Sequence, residues 1–290
     1  MRTPRTGGRS RRLALVVVTA LAAGLTLTAS PSATAAGWAP ADTATIHPGV
    51  QMYTKGAQCT ANFVFKDRQG RVYVGYAAHC AGTGDATETD GCDAASRPLG
   101  TRVRFARGGS LADGGSTVGY GRLAYSSWLT MRRLGTSARN PCSYNDFALV
   151  RVGPAHVSKV NPSVPFWGGP VGLDADGSEP GEDVLSYGSS SLRGGVAVLA
   201  PKQGYSLGSM AGGWTHPVYT VSPGVPGDSG SAFLDGHGRA LGTLSTLAIA
   251  PLAGSNGVSD LRRQLGFAQR HGGIPGLRLV RGTEAFQPLL

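Results

Sequence analysis

Residues 59–80 read CTANFVFKDRQGRVYVGYAAHC. Two runs rich in β-branched and aromatic residues, CTANFVF and RVYVGYA, flank the polar stretch Lys66-Asp67-Arg68-Gln69-Gly70, which is the pattern of a β-hairpin around a glycine-containing turn. A turn centred on Arg68 and Gln69 sets Cys59 almost opposite residue 78, within one or two positions of Cys80. A disulfide across the open end of this hairpin is then geometrically reasonable, and it leaves Cys92 to pair with Cys142. By count alone, four cysteines in an exported chain imply two disulfides with three pairings open. No cysteine sits in a C-x-x-C spacing near histidines, so neither a metal nor another cofactor is expected.

Working outward, the same punctuation continues. Forty-five glycines and only 15% charged residues suit short strands joined by tight turns, and therefore an all-β protein. Further strands are expected at Thr101–Phe105, Gly119–Tyr125 and Phe147–Val152. A second set is expected at Val184–Tyr187, Val196–Ala200, Pro217–Val221, Ser231–Leu234 and Ala240–Leu247. The turn-rich stretch from Gly153 to Pro165 reads as the joint between two halves, giving boundaries at 37–157 and 158–290. One helix is expected, capped by Ser259 and Asp260, carrying Leu261, Leu265, Phe267 and Ala268, and ended by Gly272-Gly273.

Residues 1–36 have the three-part layout of a secretory signal peptide. Arg2, Arg5, Arg9, Arg11 and Arg12 open it, an apolar run follows to about Leu27, and Ser32-Ala33-Thr34-Ala35-Ala36 supplies a cleavage site after Ala35 or Ala36. Ser10-Arg11-Arg12-Leu13 leaves the export route open. As a membrane anchor the run falls short of the ~20 residues a span needs and is interrupted by Thr19, Gly24 and Thr26. The expected mature protein is secreted, free of the membrane and monomeric. Its charge falls from +10 to 10 − 5 = +5, because five arginines and no acid lie before residue 37. No basic cluster in the sequence interleaves with aromatics, so nucleic acid is not an expected partner.

Three segments carry chemistry, in the order His, Asp, Ser. They are Tyr76-Ala77-Ala78-His79-Cys80 at a strand end, Asn145-Asp146-Phe147-Ala148-Leu149-Val150 opening a strand, and Pro226-Gly227-Asp228-Ser229-Gly230-Ser231 in a turn before a strand. A serine hydroxyl is a weak nucleophile that needs a base beside it. Histidine has the right basicity, and a carboxylate on its far nitrogen sets the tautomer. Glycines on both sides of Ser229 allow a sharp turn, with the N–H groups of Gly227 and Ser229 directed at one oxyanion. Singly, each residue has an ordinary structural reading as a surface histidine, a strand-start aspartate and a turn serine; together these readings lose force.

These segments resemble the chymotrypsin-like serine proteases, especially the secreted actinobacterial branch. AAHC at 77–80, DFALV at 146–150 and GDSGS at 227–231 carry the resemblance, which spans about residues 56 to 268. It implies two six-stranded antiparallel β-barrels with the active site in the cleft between them and a C-terminal helix. It also implies a serine-type endopeptidase acting on proteins or peptides through an acyl-enzyme. His79 would be the base, Asp146 the orienting acid, Ser229 the nucleophile, and Gly227 and Ser229 the oxyanion donors. Cys59–Cys80 matches the family's disulfide beside the histidine. Asp228 would be a buried acid paired with an internal Arg or His, or else with a new amino terminus. Only about twenty residues separate signal cleavage from Cys59, so signal removal is expected to yield a near-mature enzyme.

The chain departs from the pattern at Tyr76, at Ser231, in the missing disulfide before Gly227 and in the 67-position separation of His79 and Asp146. The expected primary pocket has Pro223 and Gly224 on one wall and Ser245, Thr246 and Leu247 on the other. With no acid from His216 to Gly227, it points to small or medium apolar side chains rather than Lys or Arg. Two alternatives stand beside this reading. Gly204-Tyr205-Ser206-Leu207-Gly208 fits the G-x-S-x-G elbow of a serine esterase, which needs a strand before it and a helix after it. A catalytically silent binding protein would keep the fold without turnover.

Overall fold

In the computed structural model the hairpin at 59–80 forms, but its first run is split between two strands. Among the described residues the first half of the chain contains β1 (Gln51–Thr54), β2 (Ala57–Thr60), β3 (Val64–Lys66), β4 (Val72–Tyr76), β5 (Arg102–Arg107), β6 (Ser116–Ser126) and β7 (Ala148–Val152). Helices α1 (Ser127–Leu134) and α2 (Arg139–Tyr144) lie between β6 and β7. The second half contains β8 (Pro180–Tyr187), β9 (Pro201–Leu207), β10 (Thr215–Thr220), β11 (Ala232–Asp235), β12 (Ala240–Leu247), β13 (Asn256–Asp260), α3 (Leu261–His271) and β14 (Arg278–Leu279). The structure describes Met1 and residues 37–84, 90–247 and 254–288; the expected signal peptide otherwise lies outside them. Among the described residues no helix is long and apolar enough to cross a membrane.

The chain is all-β in architecture. The second half closes into a six-stranded antiparallel barrel in the order β10-β13-β12-β11-β8-β9. The first half is one antiparallel sheet of eight strands, ordered β14-β3-β4-β7-β6-β5-β1-β2. It exceeds the expected six by two, because β1 and β2 form as separate strands and the chain's last strand returns to pair with β3, Leu279 opposite Phe65. β1 and β2 are joined by Lys55-Gly56 at φ 51° and 99°, the two left-handed residues of a tight hairpin turn. Between β2 and β3 the chain turns a corner at Asn62, whose N–H donates to the Gly75 carbonyl and whose Oδ1 accepts from the Phe63 N–H. β3 and β4 then pair Val64 with Val74 around the turn, where Asp67 Oδ1 accepts the Gln69 and Arg71 N–H groups at 2.9 Å each.

One strand differs from expectation. Val196–Ala200 contains only a one-turn 3-10 helix, and the strand is β9, which begins at Pro201 and contains Gly204. Gly204 has to be glycine, because an added Cβ would run into the Tyr219 carbonyl and Thr220 of the neighbouring strand. The expected helix is α3, with Asp260 Oδ1 accepting the Arg263 N–H at 2.7 Å as its N-cap. Both disulfides form, Cys59–Cys80 and Cys92–Cys142, the second tying α2 back to residue 92.

Candidate active site

His79 lies in the one-turn 3-10 helix Ala78–Ala81 that follows β4, and Asp146 directly precedes β7. β4 and β7 are paired, Tyr76 opposite Ala148, so the ladder itself brings the two residues together. Asp146 is buried and grips the histidine twice. Its Oδ1 accepts the His79 N–H at 2.8 Å, and its Oδ2 accepts from His79 Nδ1 at 2.6 Å. Burial works against the imidazolium, but the charge and hydrogen bond of Asp146 outweigh it, holding the His79 pKa above its ordinary value. Burial likewise opposes the Asp146 carboxylate, while the bonds from His79 and Ser245 overcome it and hold its pKa low. The Trp128 ring, from α1 within the 82–141 excursion, lies 6.5 Å from the His79 ring.

Ser245 was expected on the pocket wall. Its Oγ donates to Asp146 Oδ2 at 2.6 Å, so the C-terminal barrel helps hold the acid of the N-terminal sheet. No local signal in the sequence could reveal this contact, since the two residues are 99 positions apart.

The Ser229 turn is held against β2 by hydrogen bonds from Thr60. The Ser229 carbonyl accepts the Thr60 N–H at 2.9 Å, and the Gly227 carbonyl accepts Thr60 Oγ1 at 2.8 Å. Gly230 has φ 88°, and an added Cβ would lie 2.6 Å from the Thr60 carbonyl oxygen and 2.8 Å from the Ala77 nitrogen. Only glycine permits that approach. Ser229 is half-buried, and among the described residues its Oγ makes no hydrogen bond, to His79 or otherwise. Among the same residues the N–H groups of Gly227 and Ser229 donate to no acceptor, which leaves both available to an anion.

Beneath this turn Asp228 is fully buried, and both its oxygens are engaged. Oδ1 accepts the Ser190 N–H at 2.9 Å; Oδ2 accepts the Val225 N–H at 3.1 Å and Arg193 Nη2 at 3.1 Å. Lys202 Nζ, on a side chain with no exposure, is also 3.1 Å from Oδ2. The expected internal cation is therefore a pair of cations. Burial lowers the Lys202 pKa, and the Asp228 charge only partly restores it. Arg193 also donates to the Pro223 carbonyl at 2.7 Å and to Ser222 Oγ at 3.2 Å, joining the nucleophile turn to the expected pocket wall.

On that wall Gly224 donates its N–H to Asn256 Oδ1 at 2.7 Å and accepts from Asn256 Nδ2 at 3.2 Å. Asn256, which the sequence reading missed, thus closes the wall from β13. Thr246 is half-buried opposite Gly257, and Leu247 pairs with Asn256, its side chain outside the described residues. Ser206 is buried within β9, its Oγ bonded to Ser178 Oγ at 2.6 Å and to the Gly208 N–H at 3.0 Å. Turns and β10 follow it rather than the helix an esterase elbow needs, and the buried hydroxyl is not presented to a substrate.

No family model matches the chain, and no curated protein does. Among solved structures it is similar to Thermobifida fusca protease A, at 18% identity over 82% of this chain and 99% of that one, with a TM-score of 0.49. A Nocardiopsis protease matches at 20% identity over 81% and 98%, with a TM-score of 0.45. A Cellulomonas bogoriensis chymotrypsin matches at 18% over the same shares, also at 0.45. The solved structures that this chain resembles are chymotrypsin-like serine proteases of actinobacteria.

Proposed function

We propose that the protein is a secreted serine endopeptidase with Ser229 as nucleophile, His79 as general base and Asp146 as the orienting acid. The observation that carries this is the doubly bonded His79–Asp146 pair, with the imidazole fixed at Nδ1 by a buried carboxylate and the Ser229 turn packed on Ala77. That fixed tautomer leaves Nε2 without a proton and able to accept one. In the reaction, Nε2 takes the Ser229 proton as Oγ bonds to the substrate carbonyl carbon. The carbonyl oxygen, now negative, is met by the N–H groups of Gly227 and Ser229. The imidazolium then gives its proton to the leaving amine, and water repeats the cycle on the acyl-enzyme.

The pocket reading goes with it. Arg193 and Lys202 share the one carboxylate of Asp228, and Arg193 reaches the Pro223 carbonyl. A Lys or Arg side chain would meet that excess positive charge, so small or medium apolar residues are the preferred cleavage sites. The signal peptide at 1–36, halves at 37–157 and 158–290, and a monomeric mature form complete the reading.

A fluorophosphonate probe followed by peptide mapping tests it. Labelling at Ser229 that vanishes in Ser229→Ala and His79→Ala is expected, together with loss of peptide hydrolysis. Wild-type hydrolysis by folded Ser229→Ala refutes the assignment, and a folded native protein that takes no label supports the silent binding protein.

A further inference from the structure

Between residues 94 and 173 the sequence has ten Lys and Arg but two acids, Asp113 and Asp146, of which Asp146 is buried at the candidate active site. The sheet register gathers part of that charge into a row. Arg102 on β5 lies directly opposite Arg122 on β6, and Arg122 directly opposite Arg151 on β7. Residues directly opposite share a face, so three arginines stand side by side across three strands, about 4.8 Å from strand to strand. All three are exposed. Like charges placed this way repel, and a sheet carrying them gives up stability. Among the described residues none of the three forms an ion pair, and the side chains of Arg102 and Arg151 form no hydrogen bond.

The face continues with aromatic residues. Tyr120 shares the face with Arg122, and the Arg102 guanidinium lies 3.6 Å over its ring. Arg104, opposite Tyr120, lies 4.2 Å over Tyr53. Stacking holds these guanidiniums flat; Arg104 donates to the Gly114 and Gly115 carbonyls, which leaves Arg102, Arg122 and Arg151 as the exposed row. A groove of about 580 Å³ runs along the row, walled by the turn from Gly153 to His156.

The geometry points to this face as a docking site for one linear phosphate polymer without bases. Planar guanidiniums bind phosphate oxygens in bidentate fashion. A polymer charged at every unit can meet guanidiniums on successive strands. The acidic side chains on one face of an extended peptide recur only every ~6.6 Å. Both tyrosine rings of the face are already covered by arginine, which removes them as open platforms on which bases would stack. None of the large exposed apolar side chains lies on β5, β6 or β7, so nothing on this face would enter a lipid layer. The inference is independent of the protease reading.

Fluorescence anisotropy with labelled linear inorganic polyphosphate tests it on the full secreted protein. Three arginine contacts predict an affinity that falls roughly 20- to 40-fold between about 50 and 200 mM salt, by the counterion-release slope. Arg122→Gln should reduce that log–log slope by about 0.7 to 0.9, whereas Arg122→Lys should keep the slope and bind more weakly. The triple variant Arg102→Gln, Arg122→Gln, Arg151→Gln should lose binding while its thermal midpoint holds or rises, since repulsion is removed. Absence of binding at low salt, or undiminished binding by the folded triple variant, overturns the proposal. So does equal, arginine-dependent binding of single-stranded DNA, polyglutamate or anionic phosphatidylserine vesicles.

Discussion

Replacing Asp228 by Asn keeps the shape beneath the nucleophile turn and removes one buried negative charge. Arg193 would retain the Pro223 carbonyl and Ser222 Oγ, and its side chain keeps 15% exposure. Lys202 would retain nothing comparable: its side chain has no exposure and Asp228 is its ion-pair partner. Removing one member of a buried pair costs about 3–5 kcal/mol. Lys202 can limit this by losing its proton, at about 1.36 kcal/mol per pH unit below the ordinary lysine pKa of about 10.4. The ceiling is then about 4.6 kcal/mol at pH 7 and about 1.9 at pH 9. The sign follows from proton binding. The unfolded variant holds the lysine proton at both pH values and the folded variant does not, so its stability rises with pH. Urea titrations at pH 7 and 9, on a Ser229→Ala background to prevent self-digestion, should show the deficit against the parent shrinking by up to about 2.7 kcal/mol. Adding Lys202→Met should recover most of it. A deficit equal at both pH values, or one that survives Lys202→Met, refutes the assignment of Lys202 as the stranded charge.

Three further outcomes are expected. The acid limb of kcat/KM should lie above the ordinary histidine pKa of about 6.5, because Asp146 raises that of His79. Asp146→Asn should lower kcat by about 10⁴-fold and move the limb down, read from pH–rate profiles. Removing Cys92–Cys142, which closes a 50-residue separation, should cost about 4 kcal/mol in urea titrations, against about 3 for Cys59–Cys80 at 21. Loss of Cys59–Cys80 should also reduce hydrolysis below the unfolding range, since Cys80 adjoins His79. Peptide-library profiling should find cleavage after Ala, Val, Leu or Met and little after Lys or Arg; dominant cleavage after Arg would contradict the charge arrangement at Pro223.

Much of the fold was legible where it depends on neighbours in sequence. The β3–β4 pairing shows in its alternating residues and polar turn, and α3 shows in its Asp260 cap and apolar spacing, because both are stabilised by contacts within a few residues. β9 was hidden by Pro201 and Gly204, which read locally as a turn and are admitted to the strand only by what β10 and the barrel place beside them.

The candidate site divides in the same way. The sequence by itself determined the segments holding His79, Asp146 and Ser229, since each chemical role demands one residue type in a recognisable local setting. It also indicated both disulfides and the need for a cation at Asp228. Only the tertiary structure decided that the cations are Arg193 and Lys202, that Ser245 bonds to Asp146, and that Arg102, Arg122 and Arg151 stand in one row. Those contacts join residues 20 to 99 positions apart. The arginine row is set by strand register, which a one-residue slip would send to the opposite face. The others reach the loop residues Asp228 and Asp146, which only the fold brings to their partners. Composition and spacing report what a residue can do; register decides what it stands beside.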